Sequence, residues 1–160
     1  MAAGSSISTE SSHRELVITR VFDAPRSLVF KAWTQPEHLM RWWGPHGFTV
    51  LKCEMDLRAG GGWYVHMRSA HGSEDRQRGV FREIVEPERL VFTYAFEDEN
   101  RKPGHETIVT VTFTDLGGKT RLTVHQAVFE TVAVCNDHVR GWGEALDHLA
   151  DYVTKASAKE

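Results

Sequence analysis

Two adjacent tryptophans, Trp42 and Trp43, stand directly before a Gly-Pro pair and are the first residues that could form a binding site. Neighbouring residues of a helix point about 100° apart, so the two indoles cannot face the same core. Trp43 follows Leu39 and Met40 at i+4 and i+3 and should share their inward face. We predict that Trp43 either packs at a helix–sheet corner or walls an apolar ligand cavity, with Trp42 to the side.

Strand alternation supplies more side chains of the kind that line small-molecule cavities. Aromatic and methionine side chains offer large, adaptable apolar surface, suited to a cavity of roughly 300–1,000 Å³. Besides Trp43, the apolar candidates are Trp63, Met67, Phe81, Phe92, Trp142 and Leu146. The polar side chains that could orient a ligand there are Glu83, Tyr94 and Gln126.

Glu83 is the candidate with two sharply different interpretations. It has the strand parity of Phe81, and an acidic side chain on an apolar sheet face must be hydrogen-bonded to offset its burial. Burial would raise the pKa of its carboxyl unless a cation or several donors stabilised the charge. The other interpretation places Glu83 at the rim of the sheet, paired with an arginine and without a role in binding.

Catalytic and cofactor-binding motifs are weak in this sequence. The GGKT at residues 117–120 ends like a phosphate-binding loop, but Phe113 stands where that motif needs glycine, and a strand follows instead of a helix. The nine histidines form no HExxH pair, and Cys53 and Cys135 lie outside any CxxC, as expected of free thiols. We predict no catalytic residue, no metal site and no cofactor.

Composition narrows the class of protein. The chain has 160 residues and a net charge of −3, without a stripe of lysine and arginine, so we predict no nucleic-acid partner. No apolar run approaches the ~20 residues of a membrane span, and the first residues carry no secretion signal. The sequence therefore predicts a cytoplasmic protein, monomeric or weakly associating.

Periodicity predicts the elements that must position these side chains. ELVITRVF, beginning at Glu15, has the pattern of a strand, and two short helices follow it. Further alternating stretches from Phe48 onward indicate an antiparallel meander, and the last segment returns to helical spacing. We predict an α+β fold with six to seven antiparallel strands and a long C-terminal helix. Its predicted parts are a disordered tail over 1–14, one domain over 15–155 and a tail over 156–160.

Five stretches together resemble the START-like superfamily, also called SRPBCC. They are most similar to its branch named after the activator of the ninety-kilodalton heat-shock chaperone's ATPase. The similarity runs from Glu15 to Val153 and depends on the combination of several short motifs. The stretches are VFDAPRSLVFKAWTQPEHLMRWWGP, DLRAGGGWYVHM, GVFREIVEPERLVFTY, TVTFTDLGGKTRLTVHQ and GWGEALDHLADYV.

The resemblance implies a helix-grip fold, in which a curved sheet wraps around the C-terminal helix and two short helices close one end of a cavity. In relatives this cavity binds hydrophobic small molecules, and aromatic polyketide cyclases use it for catalysis. Small single-domain relatives are mostly bacterial. The chaperone activator contacts a protein partner but carries an additional N-terminal domain, where this chain has only a tail.

Three functions are therefore open. The first is a binding module for a small hydrophobic or aromatic molecule held between sheet and helix. The second is a chaperone-associated domain with a protein partner. The third is a cyclase- or hydrolase-type enzyme that uses Glu83, Tyr94 or a histidine as acid or base. The lack of a visible nucleophile–base pair favours binding over catalysis.

Overall fold

The computed structural model describes residues 5–10 and 14–158, and their strands form one antiparallel sheet. The sheet order is β1-β2-β8-β7-β6-β5-β4-β3, so only the β2–β8 neighbours are distant in sequence. The strands are β1 (Ser5–Glu10), β2 (Glu15–Phe22), β3 (Phe48–Met55), β4 (Gly62–Ser69), β5 (Glu74–Val85), β6 (Arg89–Phe96), β7 (Thr107–Asp115) and β8 (Thr120–Ala127). The helices are α1 (Arg26–Thr34), α2 (Pro36–Leu39) and α3 (Val132–Ala158).

The long helix α3 supplies the apolar stripe that the sheet encloses. Its buried residues include Trp142, Leu146, Leu149 and Val153, which recur at three- and four-residue spacing as expected of one helix face. The helix contacts β2 and α1. The predicted α+β helix-grip fold is therefore confirmed. In the part of the chain that the structure describes, no helix is both long enough and apolar enough to cross a bilayer.

Two short helices form after β2 because a proline interrupts what would otherwise be one helix. Gln35, the residue before Pro36, has φ −116° and ψ 122°, the extended conformation that a following proline favours. Pro36 then starts α2 at its first position. Beyond α2 the helical turn continues, since the Trp43 amide donates to the Leu39 carbonyl at 3.0 Å. The i+4 relation between Leu39 and Trp43 is thus present in the fold.

Both chain ends differ from the predicted tails. Residues 5–10 form the edge strand β1, in antiparallel register with β2 from Ser5–Arg20 to Glu10–Glu15. The unpaired backbone edge of β2 offers hydrogen bonds to any extended segment beside it, which composition alone does not reveal. The rest of the predicted N-terminal tail, apart from Arg14, lies outside the described residues. At the other end, α3 continues to Ala158, through most of the predicted C-terminal tail.

A register irregularity in β5 determines which side of the sheet Glu83 faces. The pairing of β5 with β6 shifts between Phe81 and Glu83, where Phe81 faces Phe92 and Glu83 faces Val91. A bulge of this kind reverses the inward and outward parity of the residues beyond it. Glu83 is consequently exposed and paired with Arg89 at 2.5 Å, whereas Phe81 is buried. The prediction that Glu83 shares the inner face of Phe81 is wrong, and the rim interpretation holds.

Gly79 permits a close approach in the same strand. A Cβ added there would lie 1.8 Å from the Thr93 carbonyl oxygen and 2.4 Å from Nε1 of Trp63. The space is needed because the Trp63 indole donates a hydrogen bond to that carbonyl at 2.9 Å. A glycine therefore allows an indole of β4 to satisfy a backbone group of β6 where the ladder between β5 and β6 is interrupted.

Candidate functional site

A cavity of about 150 Å³ lies between α3, the loop after α2, and the inner faces of β4, β5 and β6. Its volume is below the range of roughly 300–1,000 Å³ that is typical of small-molecule sites. Its walls combine aromatic rings with five polar side chains, and its mouth is formed by exposed or half-buried residues. The lining residues are Trp43, Gly44, Pro45, Met67, Asp75, Gln77, Tyr94, Phe96, Asp137, His138, Gly141, Trp142 and Ala145.

The deep wall of the cavity is held by tryptophans from two different elements. The rings of Trp43 and Trp142 meet edge to face, with centroids 5.4 Å apart, an arrangement that aromatic quadrupoles favour. Both rings also contact Trp33 of α1, at 6.0 and 5.8 Å. The loop after α2 and the middle of α3 are thus fixed against a common aromatic cluster, so this wall is already formed without a ligand.

A directional chain of hydrogen bonds crosses the cavity floor. Trp43 Nε1 donates to Gln77 Oε1 at 2.7 Å, and Gln77 Nε2 donates to the Tyr94 hydroxyl at 3.0 Å. The Tyr94 oxygen lies 3.2 Å from His138 Nε2, and His138 Nδ1 lies 2.9 Å from the Val134 carbonyl. A carbonyl only accepts, so Nδ1 carries the proton and Nε2 of the neutral ring accepts from Tyr94. Every donor in the chain therefore points the same way.

The protonation states along this chain follow from burial. Burial lowers the pKa of His138, which favours the neutral ring that the hydrogen-bond pattern requires. Burial, with the nearby Asp75 carboxylate as a second cause, raises the pKa of Tyr94 above its ordinary value. Both residues are therefore neutral near pH 7. The chain presents dipoles rather than charges to the cavity.

Two acidic lining residues, Asp75 and Asp137, lie outside this hydrogen-bond chain, and Asp75 is the more buried of them. Its side chain is half-buried, and its carboxylate accepts no hydrogen bond from any other residue that the structure describes. Burial raises the pKa of this carboxyl, since few groups nearby offset the loss of water. Asp137, the other acidic lining residue, is exposed and lies 3.4 Å from Arg140. Asp75 therefore has free acceptor capacity facing the cavity.

A second hydrogen-bond chain supports the cavity from behind. Trp142 Nε1 donates to Gln126 Oε1 at 2.8 Å, and Gln126 Nε2 donates to Thr107 Oγ1 at 2.9 Å. The Thr107 hydroxyl then donates to the Tyr94 backbone carbonyl at 3.3 Å. Gln126 is fully buried and does not line the cavity. Its role is to fix α3 against β7 and β8, which holds the Trp142 ring in place.

The mouth of the cavity is bordered by a loop that is fastened to α3. Pro45 lies between Gly44 and Gly47, which have φ values of 98° and 86° and so occupy the region that favours glycine. The adjacent His46 amide donates to Glu144 of α3 at 3.0 Å. The His46 ring also lies 2.9 Å, Nδ1 to Nε2, from the ring of His148. We call these two contacts the loop clasp.

The structure divides the residues chosen from the sequence into four groups. Trp43, Met67, Tyr94 and Trp142 line the cavity. Trp63, Phe81 and Phe92 instead surround a separate apolar void of about 20 Å³, which they share with Trp43. Gln126 and Leu146 are fully buried and line neither space, and Glu83 is on the outside.

Trp42, expected at the side of its helix, is instead more buried than Trp43. Its indole donates to the Ala32 carbonyl at 3.0 Å and its ring packs 4.8 Å from that of Trp33. The two adjacent indoles do point in different directions, as the helical spacing requires. The one that was expected nearer solvent packs against α1.

Sequence reasoning missed Asp75, Gln77 and His138. The residues before Arg78 are strongly charged and conceal the start of β5, which begins at Glu74. Counting back from Phe81 in steps of two would have placed Gln77 and Asp75 on the inner face. His138 lies four residues before Trp142 and thus belongs to the helical stripe that the sequence did reveal.

The remaining candidates for chemistry are the metal-ligating side chains and the two cysteines. Across residues 5–10 and 14–158, no group of three or more histidine, cysteine, aspartate or glutamate side chains could hold a metal ion. Both cysteines are free. Burial raises the pKa of Cys53 to about 12 and also raises that of Cys135, so both stay protonated near neutral pH.

Known proteins resemble this chain in both sequence and structure. The model of the family described as activator of Hsp90 ATPase homolog 1-like protein matches residues 23–154. A solved protein from Chromobacterium violaceum is 28% identical with a TM-score of 0.80, covering 88% of this chain and 96% of its own. One from Arthrobacter aurescens is 26% identical with a TM-score of 0.82, covering 94% and 91%. No curated protein matches the chain.

A third structure carries the family's name. It is an AHSA1 protein from Silicibacter pomeroyi, 24% identical with a TM-score of 0.80, and it covers 89% of this chain and 99% of its own. At that identity the likeness concerns the fold alone. Similar folds carry different functions, so the function has to be argued from the cavity and its chemistry.

Proposed function

The chain belongs to the activator of Hsp90 ATPase homolog 1-like family, and from that premise we propose that it binds a small hydrophobic or aromatic molecule in the cavity beside α3. The observation that carries the proposal is the cavity itself, which combines a fixed aromatic wall with a satisfied polar floor. Ligand sites are typically apolar clefts with a few well-placed polar groups. The network from Trp43 to His138 borders open space, where its polar groups can orient a ligand, whereas the network through Gln126 is enclosed by protein.

The cavity volume limits the size of the enclosed group. At about 150 Å³ it matches the kind of apolar cavity that holds a single benzene ring. A steroid or a fatty acyl chain would not fit without movement of the walls. We therefore expect a ligand whose enclosed part is one small ring or a group of similar size, with any remainder leaving through the mouth near Pro45 and Phe96.

Two glycines of α3 provide a matched pair for testing this proposal. A Cβ added at Gly141 or at Gly143 would meet no atom within 4 Å. Only Gly141 lines the cavity. A leucine at either position gains a similar helix propensity, roughly 1 kcal/mol over glycine, but only Gly141→Leu places a side chain in the space where the ligand should lie.

The experiment is an NMR titration with phenol and benzyl alcohol, followed at the five tryptophan indole signals of the full chain. We expect saturable shifts at Trp43 and Trp142, with smaller changes at Trp42. Gly141→Leu should abolish the shifts and Gly143→Leu should retain them. The absence of saturable shifts in the unmodified protein, or equal shifts in both variants, would overturn the proposal.

A second candidate function, docking of a protein partner, is favoured by one surface feature. Val128, in the connection before α3, and Val132 and Val134, in its first turn, lie close together in sequence and are 51%, 39% and 36% exposed. Exposed apolar side chains grouped in this way are typical of interaction surfaces. Stimulation of an Hsp90-type chaperone's ATPase by the protein, lost in Val132→Ser with Val134→Ser, would support docking. Unchanged ATPase activity would remove this candidate.

A further inference from the structure

The charged side chains of the cavity lining are acidic. The ionisable lining residues are Asp75, Asp137, Tyr94 and His138. Among the described residues, no lysine or arginine lines the space. Tyr94 and His138 are neutral because burial raises the pKa of Tyr94 and lowers the pKa of His138, and Asp137 lies beside Arg140. The remaining charge is the Asp75 carboxylate, which has no hydrogen-bond donor among the residues that the structure describes.

Aromatic rings surround the same space. Trp43 and Trp142 form the deep wall, Tyr94 lies at the floor and the 38% exposed ring of Phe96 stands at the mouth. The Tyr94 and Phe96 rings meet edge to face at 5.6 Å, which fixes the outer pair against each other. Aromatic faces carry partial negative charge and attract cations, most strongly where water is excluded.

From these two features we infer that the natural ligand presents a small organic cation, a protonated or methylated ammonium group, to Asp75 and the aromatic rings around it. The inference depends on the proposed function, since it assigns a chemical class to the molecule held in that cavity. A methylated ammonium group matches the site in both respects, because its surface is apolar and its charge is positive. The neutral, fully paired chain from Trp43 to His138 leaves Asp75 as the counter-charge.

Anionic ligands are disfavoured by the same geometry. A carboxylate or phosphate entering the cavity would lose water beside Asp75 without gaining a cation from the lining, and unpaired charges are costly to bury. A neutral hydroxyl could donate a hydrogen bond to Asp75, but it carries no positive charge that the four aromatic rings would attract. The lining is therefore better suited to an amine than to a fatty acid or a phenol of equal size.

Choline and 3,3-dimethylbutan-1-ol, its uncharged isostere, allow a direct test. The two compounds have the same shape and differ in the positive charge at the central atom. We expect choline to bind about tenfold or more tightly than the alcohol in the indole titration, because charge pairing and cation–π contacts act together. Asp75→Asn should remove most of that preference, with a much smaller change in the affinity for the alcohol than in the affinity for choline.

Two further variants control the result. Asp151→Asn removes an exposed carboxylate of α3 that does not line the cavity, so it tests whether general charge is responsible. It should change choline binding by less than about twofold, since exposed charges are screened by water and salt. Phe96→Leu keeps an apolar side chain at the mouth but removes a ring, and should weaken choline binding selectively.

The outcomes separate the inference from the function on which it depends. Equal affinity for choline and the alcohol, or a choline preference that survives Asp75→Asn, would overturn the inference while leaving a cavity that binds apolar molecules. Binding of phenol without any binding of choline would do the same. The absence of shifts with choline, the alcohol and phenol would overturn both.

Discussion

Two buried tryptophan–glutamine pairs occupy the interior, and they differ in what lies beyond the glutamine. In one, Trp142 donates to Gln126, which donates to Thr107 and through it to a backbone carbonyl. In the other, Trp43 donates to Gln77, whose chain continues through Tyr94 to a histidine at the cavity. Gln126 is 0% exposed and Gln77 is 4% exposed, so burial alone does not separate them.

The difference shows how one residue pair can support a fold in one place and form a site in another. The Gln126 chain ends within the sheet, where every group is enclosed by protein. The Gln77 chain borders open space and passes through His138, a side chain that can change its charge. Stability should therefore depend more on Gln126, and ligand binding more on Gln77.

The largest expected effect on stability comes from Gln126→Leu. The substitution leaves the Trp142 indole N–H enclosed without an acceptor, and an unsatisfied buried group costs about 1–3 kcal/mol. Urea unfolding should show a lower midpoint with an unchanged slope. Adding Trp142→Phe removes the stranded donor as well, so the double variant should lose less than the sum of the two single losses. An unchanged midpoint for Gln126→Leu would contradict the assignment of this chain to support.

Gln77→Leu should have a smaller effect on stability and a larger one on binding. Gln77 itself lines the cavity, so water can replace its amide beside Trp43 Nε1 and the Tyr94 hydroxyl oxygen, whereas Gln126 does not line it. We expect a loss of stability of about 1 kcal/mol or less, together with weaker binding of phenol in the indole titration. A cost equal to that of Gln126→Leu would show that both chains serve only as support.

The smallest effect is a dependence of stability on pH through His138. Burial lowers the pKa of His138 in the folded protein, so the unfolded chain binds its proton first as the pH falls below about 6.5. Stability should therefore fall with pH from there down to the folded pKa and not change further below it. Unfolding measured between pH 8 and pH 5 should show a weaker decline for His138→Asn.

The matched control for the pH measurement is His71→Asn, which removes an exposed histidine from the turn between β4 and β5. Both variants replace one imidazole by an amide, so a difference between them reports the environment of His138. If stability depended on pH in the same way in both variants, His138 would not be a buried neutral ring in the folded protein.

Much of this fold could be predicted from the sequence, because the regular spacing of apolar residues along a helix or strand is kept even where the backbone is locally irregular. The α3 stripe through Trp142, Leu146 and Leu149, and the inward alternation of Trp63 and Met67, both follow from spacing alone. The interruption of the first helix follows equally from Pro36, since its effect on the preceding residue is local. These features depend on residues near one another in sequence.

The site was harder to predict because it depends on register and on residues that look like surface. A bulge beyond Phe81 moved Glu83 outward, and no local signal in the sequence marks that bulge. Gln77 and Asp75 stand among charged neighbours, so their inward position shows only when the alternation is extended from the apolar end of β5. The pairing of Gln77 with Trp43 joins residues 34 positions apart, and spacing cannot reveal such a contact.

The loop clasp has a consequence for how quickly molecules exchange. The residues that should set the equilibrium affinity lie in the walls, whereas His46 and its partners Glu144 and His148 hold the mouth loop from outside the lining. Both clasp contacts are exposed, and glycines on either side of Pro45 can absorb a change in backbone angle. Residence time and affinity should therefore vary independently, since the first depends on how often the clasp opens and the second on what the cavity contains.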